Sequence, residues 1–255
     1  MFNDWLTIGP VTIHGYGVMI GLGILAAFYV SERQAKKYGM SPDEASNLIF
    51  FCLITGFLGS KITYILTNLQ AFLQNPAAFL SPDGWVVWGG IIGGILGGWI
   101  WCKIRKLNFM AYFDLMIPVV ALAQGFGRIG CFFAGCCYGK ETTGPGIVFP
   151  AGSLAPSGVK LIPTQLISSF GDFLLFFILF RIYSDAEHRD ETAAWYLILY
   201  SVGRFLVEFL RGDEIRGTIM GLSTSQFISV FMFLGGVLLL IMRRKNRVHA
   251  KTAEA

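Results

Sequence analysis

The chain has 255 residues, 54% of them hydrophobic and only 14% charged, with a formal net charge of +4 and a mean hydropathy of +0.60. Soluble domains carry roughly 25% charged residues, so this composition excludes an ordinary water-soluble enzyme and places the chain among polytopic membrane proteins. The start, Met1-Phe2-Asn3-Asp4-Trp5, has no basic segment and no small-residue cleavage site, so no removable signal peptide is expected.

Seven apolar runs approach the roughly 20 residues needed to cross a bilayer, at about 13–32, 45–67, 86–102, 111–136, 163–183, 192–210 and 220–242. The first opens with His14 and Tyr16, and the second carries Lys61. The third carries Trp88 and then repeats Gly89-Gly90, Gly93-Gly94 and Gly97-Gly98, a stripe of small residues that reads as close helix packing. The fourth is long, so its outer end is expected to bend, and Leu115–Tyr138 is uncharged apart from Arg128.

In the fifth run, Gln165, Ser168 and Asp172 share one helix face by their i, i+3, i+7 spacing. Asp172 is open to two readings, an interhelical polar clasp satisfied by Lys61 or a backbone group, or a direct role. The sixth run places Tyr200, Arg204, Glu208 and Arg211 within an arc of about 80°. The seventh lacks a lysine, which excludes a retinal protein, and the broken repeats of a transporter are not visible.

The expected architecture is therefore an all-α, seven-helix membrane domain over residues 1–243. It has one long loop at about 139–162 and a basic tail at 244–255. Lysines and arginines concentrate in loops 33–44, 103–108 and 181–191 and in the tail after Ile241. The positive-inside rule puts those segments in the cytoplasm and the N-terminus outside.

In that orientation His14, Tyr16, Lys61, Trp88, Arg128, Gln165 and Arg204 all fall in the outer half of the membrane. Random tolerance would scatter them. An arginine near mid-membrane costs roughly 2.5–3.5 kcal/mol, so Arg128 and Arg204 need a partner or a task. Guanidinium groups bind phosphate through a rigid fork of donors, and the first phosphate to consider is a lipid headgroup. The plain alternative is that Arg204 and Glu208 form a neutralised i,i+4 pair with Arg211 snorkelling outward. Against it, a purely structural buried pair is commonly replaceable by apolar residues at no loss. His14 is equally open to a structural or a proton-accepting role.

Among five cysteines, Cys131, Cys136 and Cys137 are spaced C-x4-C-C. With no C-x2-C pair and no histidine nearby, the spacing argues against a metal or redox site and for small residues at a tight turn. No metal or cofactor is expected.

These residues resemble a known family, the prolipoprotein diacylglyceryl transferases. Gly127-Arg128-Ile129-Gly130-Cys131 through Gly139 is similar to its signature G-R-x-G-N-F-x-N-x-E-x-x-G, and His14-Gly15-Tyr16-Gly17 to its first-helix H-x-Y-G. Pro163-Thr164-Gln165-Leu166 resembles its P-[ST]-Q-L, and Tyr200-x3-Arg204-x3-Glu208-x2-Arg211 its sixth-helix pattern. The matches run in order from 14 to 211. Trp88 stands where members usually have His, Cys131 where they have Asn, Cys136 where they have Glu, and Ile167-Ser168 where they have Tyr-Glu. The chain thus resembles a divergent branch.

The resemblance implies a bacterial plasma (inner) membrane enzyme that moves the diacylglyceryl group of phosphatidylglycerol to the lipobox cysteine thiol of a preprolipoprotein, releasing glycerol 1-phosphate. Membrane lipid is the expected environment, and no nucleic-acid partner is implied. Such an alkylation at carbon needs charge stabilisation on the leaving phosphate, an ionised thiol and exclusion of water. Arg128 and Arg204 suit the first need and, by lowering a nearby thiol's pKa, the second. His14 or a deprotonated Lys61 is the expected proton acceptor. Tyr16, Gln165 and Tyr200 are expected to orient the headgroup, and Glu208 to hold Arg204. Lys61, Gly139 and Arg211 complete the expected binding set. The runner-up is a relative that binds anionic phospholipid, or modifies another acceptor, without lipoprotein lipidation.

Overall fold

The computed structural model describes residues 3–81, 84–212, 217–219 and 221–253. Met1, Phe2, Arg216, Met220 (the expected start of the seventh run) and the last two tail residues lie outside the described residues. Eight α-helices are described: α1 Gly15–Lys37, α2 Pro42–Thr67, α3 Leu69–Gln74, α4 Val87–Arg105, α5 Phe109–Ala134, α6 Thr164–Ser184, α7 Thr192–Glu208 and α8 Thr224–Ala253. Six of them, α1, α2, α4, α5, α6 and the Thr224–Arg247 part of α8, are long and apolar enough to cross a membrane. The fold is that of an all-α polytopic membrane protein.

Helix α7, the expected sixth span, has 17 residues and stops at Glu208. At about 1.5 Å per residue it falls just short of the roughly 30 Å hydrocarbon core. Among the described residues, three short antiparallel strand pairs accompany the helices: β1 Asp4–Ile8 with β2 Val11–His14, β3 Ile147–Val148 with β4 Lys160–Leu161, and β5 Thr218–Ile219 with β6 Leu222–Ser223.

The chain divides into two compact units, Ser31–Tyr112 and the remainder, Met1–Val30 with Phe113–Ala255. In the first, Ser41 caps α2 by accepting the Glu44 N–H, with Pro42 in the first turn. The glycine stripe of α4 packs on α2 as its spacing predicts. A methyl group on Gly93 would overlap the Thr55 carbonyl, and one on Gly97 the Thr55 side chain. Only glycine lets two backbones approach so closely.

The second unit has two chemically distinct ends around an apolar core of Ile117, Ala121, Leu175, Leu179, Ala193 and Tyr196. At one end Arg243 of α8 reaches the Asp114 carboxylate on α5 at 3.3 Å, and Asp114 also accepts the Ala193 N–H of α7 at 2.9 Å. Beside them Arg244 and Arg247 both pair with the fully buried Glu191. At the other end the long loop is ordered rather than loose. Phe149 and Leu161 are each about 1% exposed and pack with Phe132 and Tyr138.

Candidate functional site

Arg128 sits near the end of α5, where its side chain is 23% exposed. Across from it on α6, Asp172 approaches with Oδ2 at 3.9 Å from the arginine Nε. Asp172 therefore clasps α6 to α5 through Arg128. The expectation that Lys61 or a backbone group would satisfy it gives way to a cation already in the bundle. The same carboxylate lies within electrostatic reach of Arg204 on α7. The Tyr200 phenol is an electrostatic neighbour of both arginines. Three helices thus aim two guanidiniums, a carboxylate and a phenol at one region. Tyr200 is held there by stacking on Tyr196, with centroids 5.4 Å apart and planes at 13°, and Tyr196 in turn donates to Gln124 Oε1 at 3.0 Å.

Arg204 is placed by its own helix and by α8. Its Nη1 lies 2.6 Å from Glu208 Oε2, and its Nη2 donates to Ser225 Oγ at 2.8 Å. Glu208 also faces Arg211, whose Nε is 3.9 Å away. Among the described residues, one carboxylate is shared here by two guanidiniums, a setting for an anion.

Arg211 is not on α7, as the helical arc predicts, because the helix has already ended. It lies in a short extended stretch that pairs with Gly139. Far from snorkelling outward, it is 8% exposed. The Gly139 N–H donates to the Ile162 carbonyl at 2.9 Å, and the Lys140 N–H to Leu210 at 2.9 Å. Gly139 is thereby threaded between two backbones. A methyl group there would sit 2.6 Å from the Ile162 carbonyl and 2.8 Å from the Leu210 carbonyl.

Other expected residues take different places. Gln165 is 1% exposed and its Nε2 donates to the Cys136 carbonyl at 2.8 Å, while Thr164 Oγ1 donates to the Cys137 carbonyl at 2.8 Å. Gln165 thus braces the loop after α5, and its Oε1 is buried without a hydrogen-bond partner. His14 ends β2 at the exposed rim, with Nδ1 2.8 Å from Asp4 Oδ1. Tyr16 opens α1, half exposed, and counts the three loop cysteines and Arg128 among its electrostatic neighbours. Lys61 belongs to the Ser31–Tyr112 unit, where Nζ donates to the Ser81 carbonyl at 2.9 Å and lies 5.0 Å from the Trp85 ring. Trp88, half exposed, lies in the first turn of α4 in that unit.

The cysteines are the largest surprise. Helix α5 ends in a Schellman motif, with the Gly135 N–H bonded to Phe132 and the Cys136 N–H to Cys131, both at 3.1 Å. Gly135 takes φ 73, the left-handed value the motif requires. This geometry sets Cys136 against Cys131, and Cys137 then turns at φ 60. The three Sγ atoms lie within 4.8 Å of one another. Linear spacing hides this because the reversal comes from the helix cap. Asp172, Ser225 and this trio are absent from the expected site. A polar residue on the Gln165 face signalled Asp172, and nothing local signalled Ser225.

A family model described as prolipoprotein diacylglyceryl transferase matches residues 4–242. The chain is 47% identical, over 89% of its length and 90% of the relative's, to phosphatidylglycerol–prolipoprotein diacylglyceryl transferase 2 of Clostridium perfringens. It is 46% identical to the transferase of Clostridium tetani, over 88% and 91% of the two chains. The identity is 33% to the Staphylococcus haemolyticus transferase, over 93% and 86%.

Proposed function

The chain belongs to the prolipoprotein diacylglyceryl transferase family, and on that premise we propose that Arg128 and Arg204 together receive the phosphate of its lipid substrate. The protein is a transferase that moves the diacylglyceryl group of phosphatidylglycerol to prolipoproteins. Close relatives that bear that name disfavour a lipid binder without lipoprotein lipidation.

The observation that carries the site assignment is the shared neighbourhood of the two arginines, with Asp172 and Tyr200 in reach of both. Two converging forks match the two non-bridging oxygens of a phosphodiester, and the third oxygen freed as the C–O bond breaks, better than one. As the lipobox cysteine sulfur attacks the glyceryl carbon, the S–C bond forms and the C–O bond to phosphate breaks. The electron pair stays on the leaving glycerol 1-phosphate. The guanidiniums stabilise that growing charge in a region of low dielectric. Glu208 and Ser225 hold Arg204, Asp172 holds Arg128, and Tyr16 and Tyr200 orient the headgroup. Gln165 acts by shaping the loop at Cys136, and Arg211 and Gly139 close the site beside Glu208. His14 remains the candidate proton acceptor.

The same reading places seven spans in one transmembrane domain, with α7 the shortest, in a bacterial plasma membrane. The basic tail at 244–255 is cytoplasmic and the N-terminus outside. In support, Arg243, Arg244 and Arg247 cluster with Asp114 and Glu191 at the end opposite the site.

The test is complementation in cells depleted of their own transferase, with a reporter lipoprotein scored by mass spectrometry. The wild-type chain adds the thioether-linked diacylglyceryl group, and Arg128→Ala does not. Full modification by Arg128→Ala would remove the assignment.

A further inference from the structure

The thiols of Cys131, Cys136 and Cys137 lie outside the phosphate-binding assignment yet adjoin it. Cys131 has Arg128 as a charged neighbour, and Cys137 has Arg211. Their convergence is built by the backbone, because the Schellman bond brings Cys136 onto Cys131 and the left-handed Cys137 completes the triangle. Gln165 and Thr164 then pin the carbonyls of Cys136 and Cys137 from α6. The cluster is therefore held on two sides.

We propose that these three cysteines form a binding site for a thiophilic d10 metal ion, of which Zn2+ is the probe. Zinc–thiolate bonds of about 2.3 Å on a tetrahedral centre put sulfurs roughly 3.8 Å apart. Sulfurs already within 4.8 Å of one another reach that spacing by side-chain rotation of an ångström or less. The donor set is soft, as zinc and copper(I) prefer. Three thiolates on a divalent ion carry one net negative charge, and Arg128 and Arg211 stand beside it to offset that charge. The chain supplies three ligands, so one coordination position stays open for water or an external thiolate.

That open position deepens the transferase reading and rests on it. A metal held by Cys131, Cys136 and Cys137 would supply Lewis acidity that favours the thiolate of an incoming lipobox cysteine, its proton passing to the acceptor already assigned, His14. The S–C bond would form from that sulfur as the C–O bond to phosphate breaks. The paired replacement of the family's usual Asn and Glu by Cys131 and Cys136 is thereby accounted for, since the helix cap makes these two positions touch.

The experiment titrates Co2+ into the full-length chain, reduced and in detergent, and follows thiolate-to-cobalt charge-transfer absorption in the near ultraviolet. One equivalent is expected to bind, to be displaced by Zn2+, and to be lost in Cys131→Ser and Cys136→Ser. On the unmodified protein, Zn2+ is expected to protect these three thiols, but not Cys52 or Cys102, from maleimide in an intact-mass assay. That readout does not depend on any variant folding. No absorption band, no protection, or a two-proton mass loss marking a disulfide within the trio would overturn the site. A lipobox peptide is expected to shift the cobalt spectrum while its Cys-to-Ser version does not. Binding without such a shift overturns the open-position role alone. Intact metal binding with no reporter lipidation refutes the transferase reading instead.

Discussion

Arg128 on α5 and Asp172 on α6 face each other at 3.9 Å within the bundle. That is an ångström beyond the 2.7–2.9 Å of a charge-assisted hydrogen bond. At this separation the carboxylate fixes the guanidinium by charge without taking one of its donors. The pair is thus arranged to hold a cation ready for an anion rather than to neutralise it completely.

Removing the cation itself should be the most damaging change at this site. Arg128→Ala is expected to lower the rate of reporter lipidation by about 10²–10³-fold, the scale seen when one stabiliser of a developing anion is lost. Arg128→Lys should rescue little, because a point charge lacks the fork. Asp172→Asn should cost less than either, since the guanidinium stays and only its orientation loosens. Single-turnover kinetics on the three variants orders them, and an Asp172→Asn variant slower than Arg128→Ala contradicts the assignment.

Glu208 separates two guanidiniums, with Arg204 at 2.6 Å and Arg211 at 3.9 Å. Glu208→Ala removes the carboxylate that both guanidiniums face, a loss of the kind that costs about 3–5 kcal/mol. The variant should unfold in detergent at clearly lower temperature than wild type. Addition of anionic lipid should recover part of the difference, because the lipid phosphate substitutes for the missing charge. Equal recovery with zwitterionic lipid would argue that the effect is packing alone.

Most helices were legible because hydrophobic runs of about 20 residues leave few other solutions. The exception is α7, whose apolar pattern continues to Leu210 although the backbone leaves the helix after Glu208 to pair with the Gly139 strand. Periodicity cannot report a tertiary backbone pairing, and so it places Arg211 on the helix rather than in the stretch beyond it. Arg128 and Arg204 stood out because charge in apolar sequence is costly. Their partners did not. Asp172 could be placed on a face but not opposite a particular residue, and Ser225 on α8 is an ordinary serine until the fold sets it 2.8 Å from Arg204. The cysteine trio depends on a helix cap at Gly135, and the spacing of the cysteines points only to a tight turn.

The crossing at Gly139 offers a test of the loop rather than the charges. A β-carbon would lie 2.6 Å from one backbone oxygen and 2.8 Å from another, and neither can rotate away. Gly139→Ala should therefore destabilise the protein by about 1–3 kcal/mol, the usual cost of overpacking. It should also displace the Arg211 stretch, with which Gly139 pairs. Thermal unfolding reads the first effect, and loss of lipidation at temperatures where the variant is folded reads the second. Wild-type values for both would mean that the strand pairing does not form.

At the far end of the unit, Glu191 provides a prediction about pH. Burial pushes its carboxyl upward, but hydrogen bonds and charge from Arg244, a hydrogen bond from Trp195 and the charge of Arg247 outweigh it, so the group titrates below its ordinary 4.5. A folded-state value below the unfolded one means that the ionised form stabilises the fold. That contribution is complete above the unfolded value, roughly pH 4.5, and is lost as pH falls through the lower folded value. Melting temperature in detergent should hence decline on acidification below about pH 5. In Glu191→Gln the stability should be lower at neutral pH, and the acid decline shallower, because there is no longer a proton to take up. The same variant also loosens the anchor that joins α8 to the start of α7 through Arg244 and Arg247. Limited proteolysis should then cut the segment around 185–191 faster than in wild type, and identical acid profiles for the two proteins would show that Glu191 does not carry this pairing in solution.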